Sequence, residues 1–255
     1  MSSSRGARAR ESSPAGYGSG VVTYANRGLH GQLVESLGMR IVQGDFEPAE
    51  IIDVDALETD HDVSRTVVRE AVKVLIGKGL IDARPKYGTF VRNRSEWNLL
   101  DPDVIRWRQA DGADPRLLRE LMEIRMVIEP RTARLAAMGG DPRHLGKLDE
   151  AFEAMAFGED HESHIEADLI FHRALAAASG NELLERLIAM LEPVQRVRDE
   201  LAYEADPEDT AYIDLHRAVY EAVRSGRPDD AEEAMQELLE RANIDIEAAI
   251  GRTTE

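Results

Sequence analysis

Val63–Val91 reads VSRTVVREAVKVLIGKGLIDARPKYGTFV, and this stretch decides the fold of the N-terminal part. Ser64 is a short polar N-cap, and Val68, Val72 and Leu75 or Ile76 then recur at helical spacing as one buried stripe. The helix is expected to stop near Gly77–Gly79. Leu80–Ala83 and Thr89–Arg92 read as short strands around the turn Arg84-Pro85-Lys86-Tyr87-Gly88. Charge sets the segment apart as well. Residues 63–94 hold eight Lys/Arg and two acids, a net of +6, in a chain whose net charge is −18. A basic island in an acidic protein fits a nucleic-acid phosphate backbone.

Upstream, Leu29, Leu33, Leu37 and Ile41 recur at i+4 spacing and end at Gly44, and Asp53 is placed to cap a short helix running to about Asp60. Three helices followed by a β-hairpin is the winged helix-turn-helix order. The N-terminal residues of such a recognition helix face base edges in the major groove. Arg65 and Arg69 lie one turn apart on the face opposite Val68 and Val72, and arginine suits bidentate contact with guanine. Ser64 and Thr66 are candidates for phosphate contacts, with Lys86, Tyr87 and Gly88 at the hairpin tip. Solvated charges and an ordinary turn would be the bland alternative; the hairpin together with the local charge reversal favours DNA.

The remaining composition bounds the answer. With 255 residues and 43% hydrophobic content the chain can build two cores. It has no cysteine, which excludes disulfides and thiolate metal sites and is compatible with a cytoplasmic location. No run approaches the about 20 apolar residues of a membrane span. Residues 1–25, with Arg5, Arg8 and Arg10, read as a flexible arm without an apolar signal region. Residues 26–94 form the DNA-binding domain and 95–103 a connector leading into a helix. Residues 104–250 are expected to form an antiparallel all-α bundle, so the chain is mainly α. Helical patterns cover roughly 115–138, 143–157, 160–179, 182–203, 208–224 and 228–249. They are punctuated by Gly139–Pro142, Gly158, Gly180-Asn181, Asp206-Pro207 and Gly226–Pro228. Residues 95–255 carry 37 acids against 18 Lys/Arg, so this part should face away from a duplex.

One polar pair and a lone histidine interrupt the apolar stripes of the bundle. Asp168 and His172 are spaced i, i+4 among Ile165, Leu169 and Leu175, and His216 lies on an apolar face with Ile213, Tyr220 and Val223. An acid and an imidazole in an apolar stripe need a partner. An Asp–His hydrogen bond in the core would suffice. One carboxylate with two imidazoles would equally hold a divalent cation, Zn, Ni, Mn or Fe. Arg125, in the run Glu123–Glu129, reads either as an exposed intrahelical ion pair or as a clamp for a carboxylate. His61, His144, His161 and His164 have no partner at convincing spacing and read as surface residues, and His30 as flanking the first helix.

The segment LETDHDVSRTVVREAVKVLIGKGLIDARPKYGTFV resembles the DNA-binding domain of GntR-type bacterial regulators, with a VSR-x-x-VREA helix and a P-x-x-GTFV wing, over residues 29–92. The resemblance implies DNA contacts at Arg65, Thr66, Arg69 and Gly88, and more weakly at Ser64 and Tyr87. Asp53 and Asp55 depart from the pattern, standing where relatives often carry Arg or Ser. Over about 117–249 the chain is similar to the helical effector (FCD) domain of the FadR-like subfamily, through RELMEIRMVIEPRTARLAA, the D-x-x-x-H pair with SGN downstream, and LHRAVYEAV. That implies metal ligands Asp168, His172 and His216, with zinc first among the candidate ions. Many members supply a further His where this chain reads Pro193-Val194-Gln195-Arg196. Water, effector or Gln195 would complete the site. The expected molecule is a homodimeric regulator, a repressor of sugar- or hydroxy-acid catabolism, binding operator DNA and a small carboxylate held by metal and Arg125. WNLLDPDVIRW, Trp97–Trp107, is similar to the connector of galactonate-operon regulators. A metal-dependent enzyme on a small acid and a ligand-independent architectural DNA binder are the alternatives.

Overall fold

The computed structural model describes residues 28–110, 114–158, 160–205 and 211–253. The arm 1–25 and the Asp206-Pro207 break lie outside the described residues. The N-terminal part runs α1 (Gly28–Gln43), β1 (Ile51–Ile52), α2 (Val54–Asp60), α3 (Arg65–Gly77), β2 (Ile81–Arg84) and β3 (Gly88–Val91). Asp53 Oδ1 accepts from the backbone N–H of Asp55 and Ala56, each at 3.0 Å, and Ser64 Oγ from that of Val67 at 3.5 Å. Both caps satisfy donors that a helix start leaves free.

The hairpin strands pair antiparallel, Ile81 opposite Val91 and Arg84 opposite Gly88. The turn between them needs left-handed backbone at Lys86 (φ 65°) and Gly88 (φ 99°), which only glycine adopts without cost. A third strand, β1, was not legible in the sequence. It pairs with β3, Ile51 opposite Phe90, and makes the sheet order β1-β3-β2.

The bundle that follows contains α5 (Pro115–Ala137), α6 (Pro142–Phe157), α7 (His161–Ala178), α8 (Glu182–Ala205), α9 (Ala211–Arg224) and α10 (Pro228–Thr253). Asp114 and Asp141 cap α5 and α6 immediately before a proline at the first helical position. That pairing presets the backbone angle and loses no needed donor. One core, with Phe171, Leu118, Met155 and Val219, fills the bundle, and a second, with Leu33, Leu37, Val68, Leu75 and Ile81, fills the winged domain.

Between the two bodies lies a short helix, α4 (Pro102–Arg108), beginning in the stretch read as a connector. Val104 and Trp107 are buried in the winged-domain core, whereas Ile105 is buried in the bundle core. Helix α4 is tied to both ends of the reading head. Lys78, the C-cap of α3, donates to Asp101 at 2.8 Å and to Asp103 at 2.6 Å. Arg106 Nη2 donates to Glu35 of α1 at 2.8 Å. Gly38 of α1 lies flat on the Trp107 ring, where an added Cβ would sit 2.4 Å from the nearest ring carbon. On its other side α4 packs along α8.

Candidate functional site

On the winged domain, Ser64, Arg65, Thr66, Arg69, Tyr87 and Gly88 are all exposed. Arg65 leans toward acids of α2, 3.5 Å from Asp55 and 3.7 Å from Glu58, so the departure noted at Asp55 sits beside an expected DNA contact. Tyr87 meets Phe90 edge to face at 5.0 Å, which steadies the wing tip.

In the bundle, α7 delivers Asp168 and His172 one turn apart and α9 delivers His216. One ligand atom from each lies within 4.8 Å of the others, and all three residues are buried. His216 Nδ1 is 2.7 Å from the Tyr212 carbonyl. A carbonyl only accepts, so Nδ1 carries a proton and Nε2 is left to face Asp168 Oδ1 at 2.9 Å. Nε2 and Oδ1 stay this close only with a proton or a metal ion between them, and one carboxylate with two imidazoles is a set that can take the metal. The donor set therefore fits a divalent metal.

His172 is flanked by charge. Its Nε2 lies 3.6 Å from Asp168 Oδ1 and 3.2 Å from Arg125 Nη2, and its Nδ1 lies 2.7 Å from Glu129 Oε2, out of line for a full hydrogen bond. Burial disfavours the imidazolium, but Glu129 and Asp168 outweigh it and push the His172 pKa up to about 9. Glu129 is lowered to about 2, burial being overcome by Arg125 and His172. Asp168, likewise buried, is held well below the usual carboxylate range by His172, His216 and Arg198.

Arg125 is buried, not exposed as an ordinary intrahelical pair would be. Its Nε donates to Glu129 at 2.6 Å. Gln195 Nε2 donates to Asp168 Oδ2 at 2.6 Å. Both residues adjoin the ligand trio, but neither lines the cavity that opens from it. That cavity, of about 270 Å³, is bounded by Asp168, His216, Arg198, Asp199, Tyr212 and Arg241 among others.

The arginine facing both cavity and trio is Arg198, 3.3 Å from Asp168 and 2.5 Å from Asp199. Burial pushes the Asp199 carboxyl up, with the Asp168 charge adding to it, against the pull of Arg198. His161 and His164, expected at the surface, also line the cavity, and His161 stacks on Tyr203 with ring centroids 3.6 Å apart. Sequence reasoning missed Glu129, Arg198 and Asp199. The i, i+3 spacing of Gln195 and Arg198 on one helical face was the available signal.

Comparisons with known proteins agree with the two-part architecture. Residues 29–91 match the model of bacterial regulatory proteins of the gntR family, and residues 120–241 match the FCD domain. The chain is 32% identical to the galactonate operon transcriptional repressor of Escherichia coli K12, over 82% of this chain and 92% of that one. It is 31% identical to the transcriptional regulator LutR of Bacillus subtilis, over 76% and 90%. Among solved structures, Lar of Listeria monocytogenes shares the fold at 17% identity, with a TM-score of 0.57 over 86% of this chain and 97% of that chain. No helix among the described residues is long and apolar enough to cross a membrane. The chain belongs to the GntR family of DNA-binding transcriptional regulators, in the branch that carries an FCD domain, and is not an enzyme.

Proposed function

We propose that this chain is a cytoplasmic, homodimeric repressor of an operon for sugar-acid or hydroxy-acid catabolism, released from its operator by the acid. The observation that carries this reading is the convergence of Asp168, His172 and His216, of which Asp168 and His216 line a cavity that also presents Arg198. These three residues would hold a divalent ion, zinc first among the candidates, which when bound supplies a Lewis-acidic anchor for carboxylate and hydroxyl oxygens. Arg198 would complement the effector carboxylate. In this reading Arg125 and Gln195 act from behind the site, Arg125 by neutralising Glu129 behind His172 and Gln195 by fixing Asp168. The names of the galactonate-operon and LutR relatives support the regulatory role, and the galactonate relative's name supports the effector class.

Coupling to DNA has a contiguous route. Helix α8 carries Gln195 and Arg198 and packs on α4, which is bolted to α3 through Lys78 and to α1 through Arg106 and Trp107. An effector that favours one position of α8 would tilt α4 and thereby move the reading head. In a dimer on a near-palindromic operator the two recognition helices must sit roughly 34–36 Å apart, so a small tilt is enough to lower affinity. A differential of about 1–3 kcal/mol is typical of such coupling. Thermal-shift screening against galactonate, other aldonates and lactate, with and without chelator, tests the reading. A metal-dependent shift with one acid class is expected; no acid giving a shift in the metal-loaded protein would overturn it.

A further inference from the structure

Helix α2 is acidic where the reading head is otherwise basic. Residues 53–62, DVDALETDHD, hold five acids and no Lys or Arg, directly ahead of the segment whose net charge is +6. In a helix-turn-helix the first helix crosses the phosphate backbone, so these charges oppose binding. Two of them face one arginine. Asp55 and Glu58, spaced i, i+3 on one side of α2, flank Arg65, the first residue of α3. Buried Leu57 anchors α2, and the Ser64 cap fixes where α3 begins. Asp55 Oδ1 lies 3.5 Å from Arg65 Nη2, and Glu58 Oε1 lies 3.7 Å from Arg65 Nε. Both contacts fall on the Nε–Nη2 edge of the guanidinium. The Nη1–Nη2 edge is left open on a side chain that is 70% exposed. Glu58 Oε1 is itself buried and accepts no hydrogen bond among the described residues, so Arg65 is the cation that compensates it.

We propose that Asp55 and Glu58 are positioning residues that make Arg65 a reader of guanine and keep it off the phosphates. One guanidinium and two carboxylates sum to a charge of −1. A phosphate repels such a group, whereas the neutral O6 and N7 acceptors of guanine take two parallel hydrogen bonds from the open edge. In the free protein these exposed ion pairs are weak and screened. Against the floor of the groove, with water displaced, they strengthen and hold the fork at one angle. The two acids therefore lower affinity for every duplex and raise the ratio between the right sequence and a wrong one. This inference rests on Arg65 being a DNA contact and goes further, to which part of the duplex it touches and what directs it there.

The test uses the full-length protein and a duplex that the wild type selects from a randomised pool. Fluorescence anisotropy at one fixed salt concentration follows binding to this duplex, to an unrelated duplex of equal length, and to versions carrying 7-deazaguanine at each guanine in turn. That base lacks the N7 acceptor. The wild type should lose about tenfold at a particular guanine, and Arg65→Ala should be indifferent to the change there. The double variant Asp55→Asn, Glu58→Gln should gain about tenfold or more on the unrelated duplex but only a few-fold on the selected one, and should lose most of its sensitivity at that guanine. Unchanged helical circular dichroism and wild-type sensitivity at the other guanines show that the head is still folded. A double variant that gains equally on both duplexes reduces the acids to plain charge repulsion and overturns the proposal. So does one that keeps the full loss at that guanine. Arg65→Ala with wild-type affinity for the selected duplex would remove the DNA contact itself. A weakened Arg65 variant beside an acid variant of unchanged selectivity would leave the contact standing and remove only its positioning.

Discussion

His216 Nε2 meets Asp168 Oδ1 across 2.9 Å, while the other ring nitrogen is committed to the Tyr212 carbonyl. A proton or a metal ion must lie between the two atoms, and when Asp168, His172 and His216 hold a metal, His216 is one of its ligands. His216→Ala should therefore abolish stoichiometric metal measured by elemental analysis, while Glu166→Gln, on the surface side of α7, should leave it in place. Full metal content in the His216 variant would remove that residue from the ligand set.

Metal binding should release protons. His172, held at about 9 by Glu129 and Asp168 against the cost of burial, is protonated at pH 7 and must become neutral to ligate. Below about pH 9 the affinity should rise about tenfold per pH unit, and calorimetry in buffers of different ionisation heat should show roughly one proton released per ion. In the metal-free protein the sign is opposite for stability. A histidine raised from 6.5 to about 9 contributes stability that is complete below 6.5 and lost as the pH climbs through 9. A metal affinity flat between about pH 6.5 and 8.5 would contradict this account.

Glu129 neutralises Arg125 in the buried interior of the bundle. Glu129→Gln leaves a buried guanidinium uncompensated and should cost about 3–5 kcal/mol in chemical unfolding. It should also weaken metal binding about 10- to 100-fold, since the carboxylate behind His172 orients the ring. An unfolding midpoint equal to that of the wild type would refute the pairing.

On the reading head, Arg69→Ala should weaken operator binding by about 1–3 kcal/mol. Asp55→Asn should act the other way, strengthening binding a few-fold at low salt, because it frees Arg65 and removes a negative charge facing phosphate. Gel-shift titrations over a salt series check both, and equal affinities for all three proteins would dismiss these contacts.

Gly38→Ala tests the bolt. A methyl group at 2.4 Å from the Trp107 ring forces α4 away from α1, at a cost of about 1–3 kcal/mol in stability. The variant should keep its metal and its acid-dependent thermal shift yet respond less to the acid in operator binding. A wild-type response curve would place the coupling elsewhere.

Much of this molecule was legible because the signals were local. Gly44, Asp53 and Ser64 punctuate helices by chemistry contained in a few residues, and the i, i+4 spacing of Asp168 and His172 survives in any helix. What was not legible depended on distant partners. Strand β1 is two residues long and exists only because β3 lies beside it. The α4 pattern serves two cores at once, so its apolar residues match no single amphipathic face. Arg125 and Glu129 look like a solvated i, i+4 pair until the fold buries them, and Arg198-Asp199 sits in a charged run that reads as surface.

Acid bound at the Asp168–His172–His216 site should lower affinity for DNA. The most direct measurement is operator binding by fluorescence anisotropy, with the metal-loaded wild type and the His216→Ala variant titrated with the acid found by screening. Wild-type affinity should fall about 5- to 150-fold while the variant stays at its acid-free value. Identical curves for the two proteins, shifted or flat, would contradict it.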